Sequence, residues 1–420
     1  METMKKKLWN KNFTLLVIGQ SMSLFGNMVV TAVLPFHILN ISESAFLYGL
    51  AMGLPVISLI IMTPIGGILA DRFKKHRLMF WLDVSITVVI VGYILTSGLF
   101  AEVVYFVIVK LLAFNAIQAI YMATTAASIS LIVPSDKLTS GNAVIMVVNS
   151  LSITGGAAIA GVLYDRFGLY PILIGCAVCF VITAIVDLFI RIPYKKQKTS
   201  GNIAQIIRGD LSASFRFMLK ENRTIAKCVV PIFFIEFLFG SMITIGLPVL
   251  ITIYLGFGMT QVGIALSIIM FGGVLGGFVA GILGKRLNIS RGFLFLAIAG
   301  LFSIPMGFVF LFDLPIFTAY IVLTVAGTIF VFSAKILTIA MITFVQKETP
   351  IELIGKVLSI AMIVPFIGQS IGYPLQGMLF HRFSASPWAV IFSVVFVMII
   401  VSVYMFHQFK NIERSKNAAE

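Results

Sequence analysis

The chain has 420 residues, of which 60% are hydrophobic and only 11% charged. Mean hydropathy is +1.08. That charge fraction, against roughly 25% in soluble domains, excludes a soluble globular protein of this size, and the apolar content excludes a disordered chain. The net charge of +14 would suggest nucleic acid in a soluble protein. Here the basic residues fall in loops between apolar runs, so membrane orientation explains them and no nucleic-acid partner is expected. An all-α membrane protein is predicted, since at about 20 residues per span roughly twelve spans fit with short loops.

Lys5, Lys6 and Lys7 precede the first apolar run, Phe13–Leu34. The run is too long for a signal-peptide core and is read as an uncleaved first span. The next runs are Phe46–Ala70, Leu78–Leu99, Val103–Val133, Val144–Leu163 and Pro171–Ile190. After a polar stretch come Val229–Ile253, Val262–Leu283, Phe293–Phe312, Ile316–Val345, Ile354–Phe380 and Trp388–Phe406. Continuous runs of this length exclude a β-barrel. The predicted organisation is a six-helix half over 1–190, a linker over 191–227 and a second six-helix half over 228–420 with a short tail. Within the linker, Ile203, Ile207, Leu211, Phe215 and Met218 recur at helical spacing, which predicts an amphipathic helix lying on the membrane surface. With the N-terminus inside, 26 of the 30 basic residues fall on the cytoplasmic side and Arg166 and Arg382 fall outside. This bias predicts cytoplasmic termini. Cys176-Ala-Val-Cys179 has the spacing of a metal or redox pair, but an apolar span offers no further ligands and no metal is expected.

The halves repeat each other. Gly67-Ile-Leu-Ala-Asp71-Arg72-Phe73 and Gly281-Ile-Leu-Gly-Lys285-Arg286-Leu287 lie 214 residues apart, and Gly161-Val-Leu-Tyr-Asp165-Arg166-Phe167 and Gly377-Met-Leu-Phe-His381-Arg382-Phe383 lie 216 apart. Pro134 and Pro350 are also separated by 216. The second half therefore duplicates the first in parallel orientation, giving two pseudo-symmetric halves about an axis along the membrane normal. No GxxxxGK[ST] phosphate loop occurs, which speaks against ATP-driven transport by this chain alone.

Gly67-Ile-Leu-Ala-Asp71-Arg72-Phe73-Lys74-Lys75-His76-Arg77 resembles the helix 2–3 loop of the major facilitator superfamily, with Lys74 where the family usually has Gly. The resemblance extends over essentially the whole chain. It implies a cytoplasmic latch built from Gly67, Asp71, Arg72, Lys75 and Arg77, with Asp83 close by. Asn12-Phe13, Gly19-Gln20 with Ser23, Leu131-Ile-Val-Pro134 with Leu138, and Arg191-Ile-Pro193 are similar to the macrolide-exporter-like branch of drug/proton antiporters. Thr154-Gly155-Gly156 through Gly161 resembles a degraded antiporter signature, with Gly156 where Pro is expected. Gly155, Gly156, Gly161, Gly273 and Gly277 then form small-residue faces on which the halves rock, or simply close helix contacts.

Ionisable groups at membrane depth usually face a cavity or a partner. Glu236 lies nine residues beyond Lys227, Lys335 twelve before Lys347, and Lys110 eight beyond Glu102; these are depths of about 13, 18 and 12 Å at 1.5 Å per residue. The family resemblance puts all three on helices lining the central cavity. Glu236 is therefore the leading proton carrier, with Lys335 and Lys110 as further coupling candidates; a static Glu236–Lys335 pair is the alternative. Gln20, Asn27, Asn115, Gln118, Asn149, Phe237, Phe332 and Gln369 are candidate substrate contacts. Asp187 lies four residues before Arg191, a spacing that allows a helical ion pair. Pro231, Pro248, Pro365 and Pro374 are candidate kinks. The expected function is proton-driven efflux of amphiphilic drugs such as macrolides from a bacterial cytoplasmic membrane. The resemblance implies a monomer without cofactor, driven by the proton gradient. The alternatives are an organic anion, siderophore or lysophospholipid carried in either direction, or a flux-free sensor.

Overall fold

The structure, a computed structural model, describes residues 8–100, 104–134, 137–192, 223–283, 292–350 and 354–417. The predicted amphipathic helix of the linker and the Lys285-Arg286 loop fall outside these residues. Twelve long helices follow in chain order: α1 (Lys11–Ser42), α2 (Ala45–Arg72), α3 (Lys75–Phe100), α4 (Val104–Ile132), α5 (Leu138–Phe167), α6 (Leu169–Phe189), α7 (Ile225–Tyr254), α8 (Met259–Leu283), α9 (Gly292–Leu311), α10 (Ile316–Glu348), α11 (Ile354–Arg382) and α12 (Pro387–Asn417). Among the described residues no strand occurs, and eleven helices are long and apolar enough to cross a membrane. The twelfth, α11, is long enough too but carries Gln369, Gln376, Pro365 and Pro374. Helices are the expected answer, because hydrocarbon offers no partner to an open backbone group.

The helices run past the apolar sequences where a capping device ends them. The Asn10 side chain accepts from Phe13 N at 3.0 Å and starts α1. Glu43, in the left-handed region at φ 48°, ends it by donating to Leu39 O. Gly168 at φ 72° makes the turn from α5 to α6, a conformation glycine adopts without a Cβ penalty. Hydroxyls inside the spans bond back to their own helix, as Thr124 does to Ile120 O, Ser128 to Thr124 O and Thr328 to Thr324 O.

The chain divides into two compact units. The first holds Met1–Glu43 and Leu54–Ile203, the second Ser44–Gly53 and Ala204–Glu420. The opening turns of α2 thus group with the second unit, where the Tyr48 hydroxyl donates to Thr244 O at 3.2 Å. In the first unit, three of the family-like sequence marks meet at one corner. Asn12 Oδ1 accepts from Arg191 N at 3.1 Å, and Asn10 Nδ2 donates to Ile132 O at 3.2 Å. Beneath these bonds Phe13, Ile132, Val133 and Ile192 share one apolar cluster with Leu16, Met79 and Tyr121. Those marks therefore tie the ends of α1, α4 and α6 together.

In the second unit α8 packs against α10 through glycine. A Cβ on Gly272 would lie 2.8 Å from Thr328 O, and one on Gly276 would collide with Phe332 O. The neighbouring Gly273 and Gly277 are less tightly held: a Cβ there would meet Val331 at 3.0 Å and Ile339 at 3.9 Å. The helix-packing reading of this glycine run is thus carried by Gly272 and Gly276. We expect Gly276→Val to lower the melting temperature of the detergent-solubilised protein, at an overpacking cost of about 1–3 kcal/mol. Gly277→Val should melt close to the parent; equal melting of the two variants would contradict this packing.

Candidate functional site

Glu236 sits where α7 departs from α-helical geometry. The stretches Ile235–Gly240, Met242–Gly246 and Leu250–Tyr254 are π-helical. Ser241 N–H donates to Glu236 O, and Leu255 N–H to Leu250 O at 3.0 Å, each five residues back. Such widened turns recur at functional positions because they open the helix wall and re-aim side chains. The Ser241 hydroxyl donates to Phe237 O at 2.7 Å and to Glu236 O at 3.2 Å, so the widened turn has a side chain holding its carbonyls. Pro231 precedes the first π stretch and Pro248 lies between the second and third.

Three glycines make room for the carboxylate. A Cβ on Gly240 would collide with Glu236 Oε2, and one on Gly372 would collide with Phe237 O and the Ser241 hydroxyl. A Cβ on Gly368 would lie 2.9 Å from Phe233 O and 3.1 Å from Phe237 N. The α7 and α11 backbones therefore touch at Gly368 and Gly372, and the half-buried Glu236 carboxylate lies in the seam. There Gln369 Nε2 donates to its Oε2 at 2.9 Å. Tyr373, buried one turn further along α11, lies near enough to interact electrostatically with Glu236. Gln369, a candidate substrate contact by sequence, is the direct partner of the leading acid. Gly240, Gly368 and Gly372 shape the surroundings of Glu236 and are positions that sequence reasoning misses. Their signal is present as glycines four residues beyond Glu236 and four residues apart in α11.

Lys335 acts on Glu236 through space but does not form a direct ion pair with it, and its side chain is exposed. The static Glu236–Lys335 lock considered from the sequence is therefore not what the structure contains. Lys110 belongs to the first unit. Its Nζ lies 5.0 Å from the centroid of Phe106, on its own helix, and faces Gly92 of α3, where a Cβ would be 3.8 Å away. A cation over an aromatic face is an adequate electrostatic partner in an apolar setting.

In the loop between α2 and α3, Lys75 Nζ lies 4.0 Å from Asp71 Oδ1 and donates to Ala70 O at 2.8 Å. Asp71, Arg72 and Arg77 are exposed, and open space surrounds Gly67. Asp83, expected beside these charges, lies elsewhere. It is fully buried, with Ser23 Oγ 3.5 Å from its Oδ1 and Thr183 of α6 also in contact. Asp187 departs from expectation as well. It is fully buried, neither carboxylate oxygen has a hydrogen-bond partner, and the exposed Arg191 side chain makes no ion pair with it while the Arg191 N–H goes to Asn12. The sequence spacing of four allows an ion pair, but the helix ends at Phe189, so the two residues do not share a helical face.

The remaining candidates divide by environment. Gln20, Asn27 and Gln118 are buried, and Gln20 Oε1, Asn27 Nδ2 and both Gln118 amide atoms lack partners. Asn115 spends its amide on Leu111 O at 3.0 Å, and Asn149 is half-buried. Phe237 stacks on Phe233 at 5.3 Å, and Phe332 is half-buried. An open groove of about 380 Å³ lies between α1, α5 and α6, lined by Met22, Phe25, Val148, Leu151 and Cys179 among others. Gly156 serves α1–α5 packing, since a Cβ there would lie 2.6 Å from Met28 Cβ; Gly155 faces open space and Gly161 is buried. Among the described residues no cluster of His, Cys, Asp and Glu has the composition of a metal site.

Comparison with known proteins agrees with this architecture. The sequence model of the Major Facilitator Superfamily matches residues 16–373. Macrolide efflux protein A of Streptococcus pyogenes is 21% identical over 417 residues, covering 96% of this chain and 98% of that protein. Among solved structures, the nucleoside transporter NupG superposes with a TM-score of 0.75 at 13% identity, covering 95% of this chain and 99% of NupG. A bacterial homologue of the human lysosomal transporter Spinster gives 0.71 at 14% identity, over 95% of this chain and 96% of that one. The chain is a multi-pass membrane transporter and belongs to the major facilitator superfamily.

Proposed function

We propose that this transporter exports amphiphilic drugs of the macrolide type in exchange for protons, by alternating access, with Glu236 as the proton carrier. The observation that carries the proton assignment is the Gln369–Glu236 contact at 2.9 Å. A primary amide holds two donor hydrogens and a carbonyl acceptor. It can donate to the ionised carboxylate, and by turning over it can accept from the protonated acid. Glu236 is thus partnered in both states it must visit, whereas a direct lysine pair would favour the ionised state alone. The drug assignment rests on the full-length similarity to a macrolide efflux protein. The half-buried aromatics Phe237 and Phe332 supply flat apolar surface for a bulky solute.

In this reading the protein resides as a monomer in a bacterial cytoplasmic membrane with both termini inside. The Asp71–Lys75 region closes the cytoplasmic face, and the proton gradient is the energy source. A second reading is supported by Lys335, whose exposed ammonium is not held in an ion pair. It favours an organic anion as the solute.

In energised inside-out vesicles carrying the protein, macrolide addition is expected to release luminal protons, read with a pH-sensitive dye. Glu236→Gln should abolish that release; an active Glu236→Gln carrier with unchanged pH dependence would refute the assignment. Organic anions that elicit the response, with macrolides silent and Lys335→Ala inactive, would establish the second reading. Gln369→Leu, which removes a hydrogen bond to a charged group worth about 1.5–3 kcal/mol, should slow exchange by roughly 10- to 100-fold. Gln369→Asn should restore part of the rate, and a fully active Gln369→Leu would show that the contact is dispensable.

A further inference from the structure

The first unit holds two acids that the proposed function leaves unused. Asp83 of α3 and Asp187 of α6 are both fully buried and interact electrostatically with each other. Only weak neutral donors reach them: Ser23 at 3.5 Å from Asp83 Oδ1, and Thr183. Asp83 Oδ2 and both Asp187 oxygens have no hydrogen-bond partner. Among the described residues, no basic side chain acts on either carboxylate.

A third buried polar group lies near the pair. The Tyr121 hydroxyl of α4 is 1% exposed, interacts with both aspartates, and makes no well-formed hydrogen bond, although Ser23 and Thr125 lie nearby. From α1 comes Ser23, which is uncharged. Gly19 of α1 faces Asp187, since a Cβ there would be in ordinary contact with its Oδ1 at 3.5 Å. Two ionised carboxylates cannot persist together in such a place. Each unpaired buried ion costs several kcal/mol, and buried acids without a counter-charge take up a proton instead.

We propose that Asp83 and Asp187 form a proton-binding pair, separate from Glu236, in which at least one aspartate carries a proton at neutral pH. The step is simple: a proton from water bonds to one carboxylate oxygen and removes one of the two buried charges. Release reverses it, with no redox change and no other reactant. The Tyr121 hydroxyl lies near both carboxylates without bonding to either. The site lies close to an end of the bundle, because Asp187 is two residues from the end of α6. Asp83 is eight residues into α3, about 12 Å by helical rise. The proposal concerns proton binding by the resting protein and does not depend on which solute is carried.

Infrared difference spectroscopy on the full-length protein in lipid nanodiscs tests it without any solute. A protonated-carboxyl carbonyl band that shifts on deuteration is expected at neutral pH. It should persist in Glu236→Gln, weaken or shift in Asp83→Asn and in Asp187→Asn, and disappear only when both aspartates are replaced by asparagine in the Glu236→Gln background. Tyr121→Phe should shift its frequency; this variant keeps both acids and carries the test if the Asn variants do not fold. A wild-type protein without the band, or a band indifferent to all three of these substitutions, would overturn the proposal. So would loss of the band when sodium chloride replaces choline chloride at constant pH, which would make the pair a sodium site. Loss of the band in Glu236→Gln alone would also overturn it while leaving the Glu236 reading intact.

Discussion

In hydrocarbon an unpaired polar group finds no water to fall back on, and this one constraint organises the molecule. It makes every described element a helix, since only a helix satisfies its own backbone within one span. It turns the span hydroxyls of Thr124, Ser128 and Thr328 back onto their own carbonyls. It also makes the exceptions informative. Where a carboxylate or amide is buried and its partners are few, the group is there at a cost that packing alone does not explain.

The α7–α11 seam shows how such a cost is met. A regular α-helix at Glu236 would place residues 240 and 241 under fixed geometry; the widened turn instead leaves Ser241 free to hold the Glu236 and Phe237 carbonyls. The opening is usable only because Gly240, Gly368 and Gly372 carry no side chain into it. Close backbone approach then delivers Gln369 to Glu236 at 2.9 Å. Removal of any one of these features leaves the others without purpose: without the glycines the helices separate, and without the approach the amide cannot reach.

The architecture is legible in the sequence because its signal is summed over long stretches. Twenty apolar residues in a row specify a span, and the Gly-Asp-Arg and Gly-Lys-Arg echoes at offset 214 specify a duplication. Glu236 is legible because a single acid in an apolar run is conspicuous. What the sequence hides is direction. Every face of these helices is apolar, so periodicity does not say which way Asp83, Asp187 or Gln369 points. Proximity to the loop charges suggests one environment for Asp83, and burial beside Ser23 and Thr183 supplies another. Spacing offers Arg191 to Asp187, but the helix ends first. The π-helical turns leave no mark beyond Pro231, Gly240 and Pro248, which an ordinary kink would explain equally well.

The two halves repeat their scaffold but not their chemistry. The 214- and 216-residue offsets set Glu236 against Met22 and Gln20 of α1, neither of them an acid, and the 216-residue offset sets Asp83 and Asp187 against Ala299 and Val403. Gly156 and Gly372 also correspond at that offset, and each brings a neighbouring helix close, at Met28 in one half and at Phe237 in the other. The glycine contact that sets helix spacing is therefore common to both halves, and the titratable groups are distributed differently upon it. In the second unit one acid meets an amide across α7 and α11. In the first, two acids lie buried on α3 and α6, with only Ser23 and Thr183 as donors to Asp83. A duplicated frame that keeps its helices while placing its acids differently can vary its protonation chemistry one half at a time, because a carboxyl added on one helix leaves the repeated backbone of the other half unchanged.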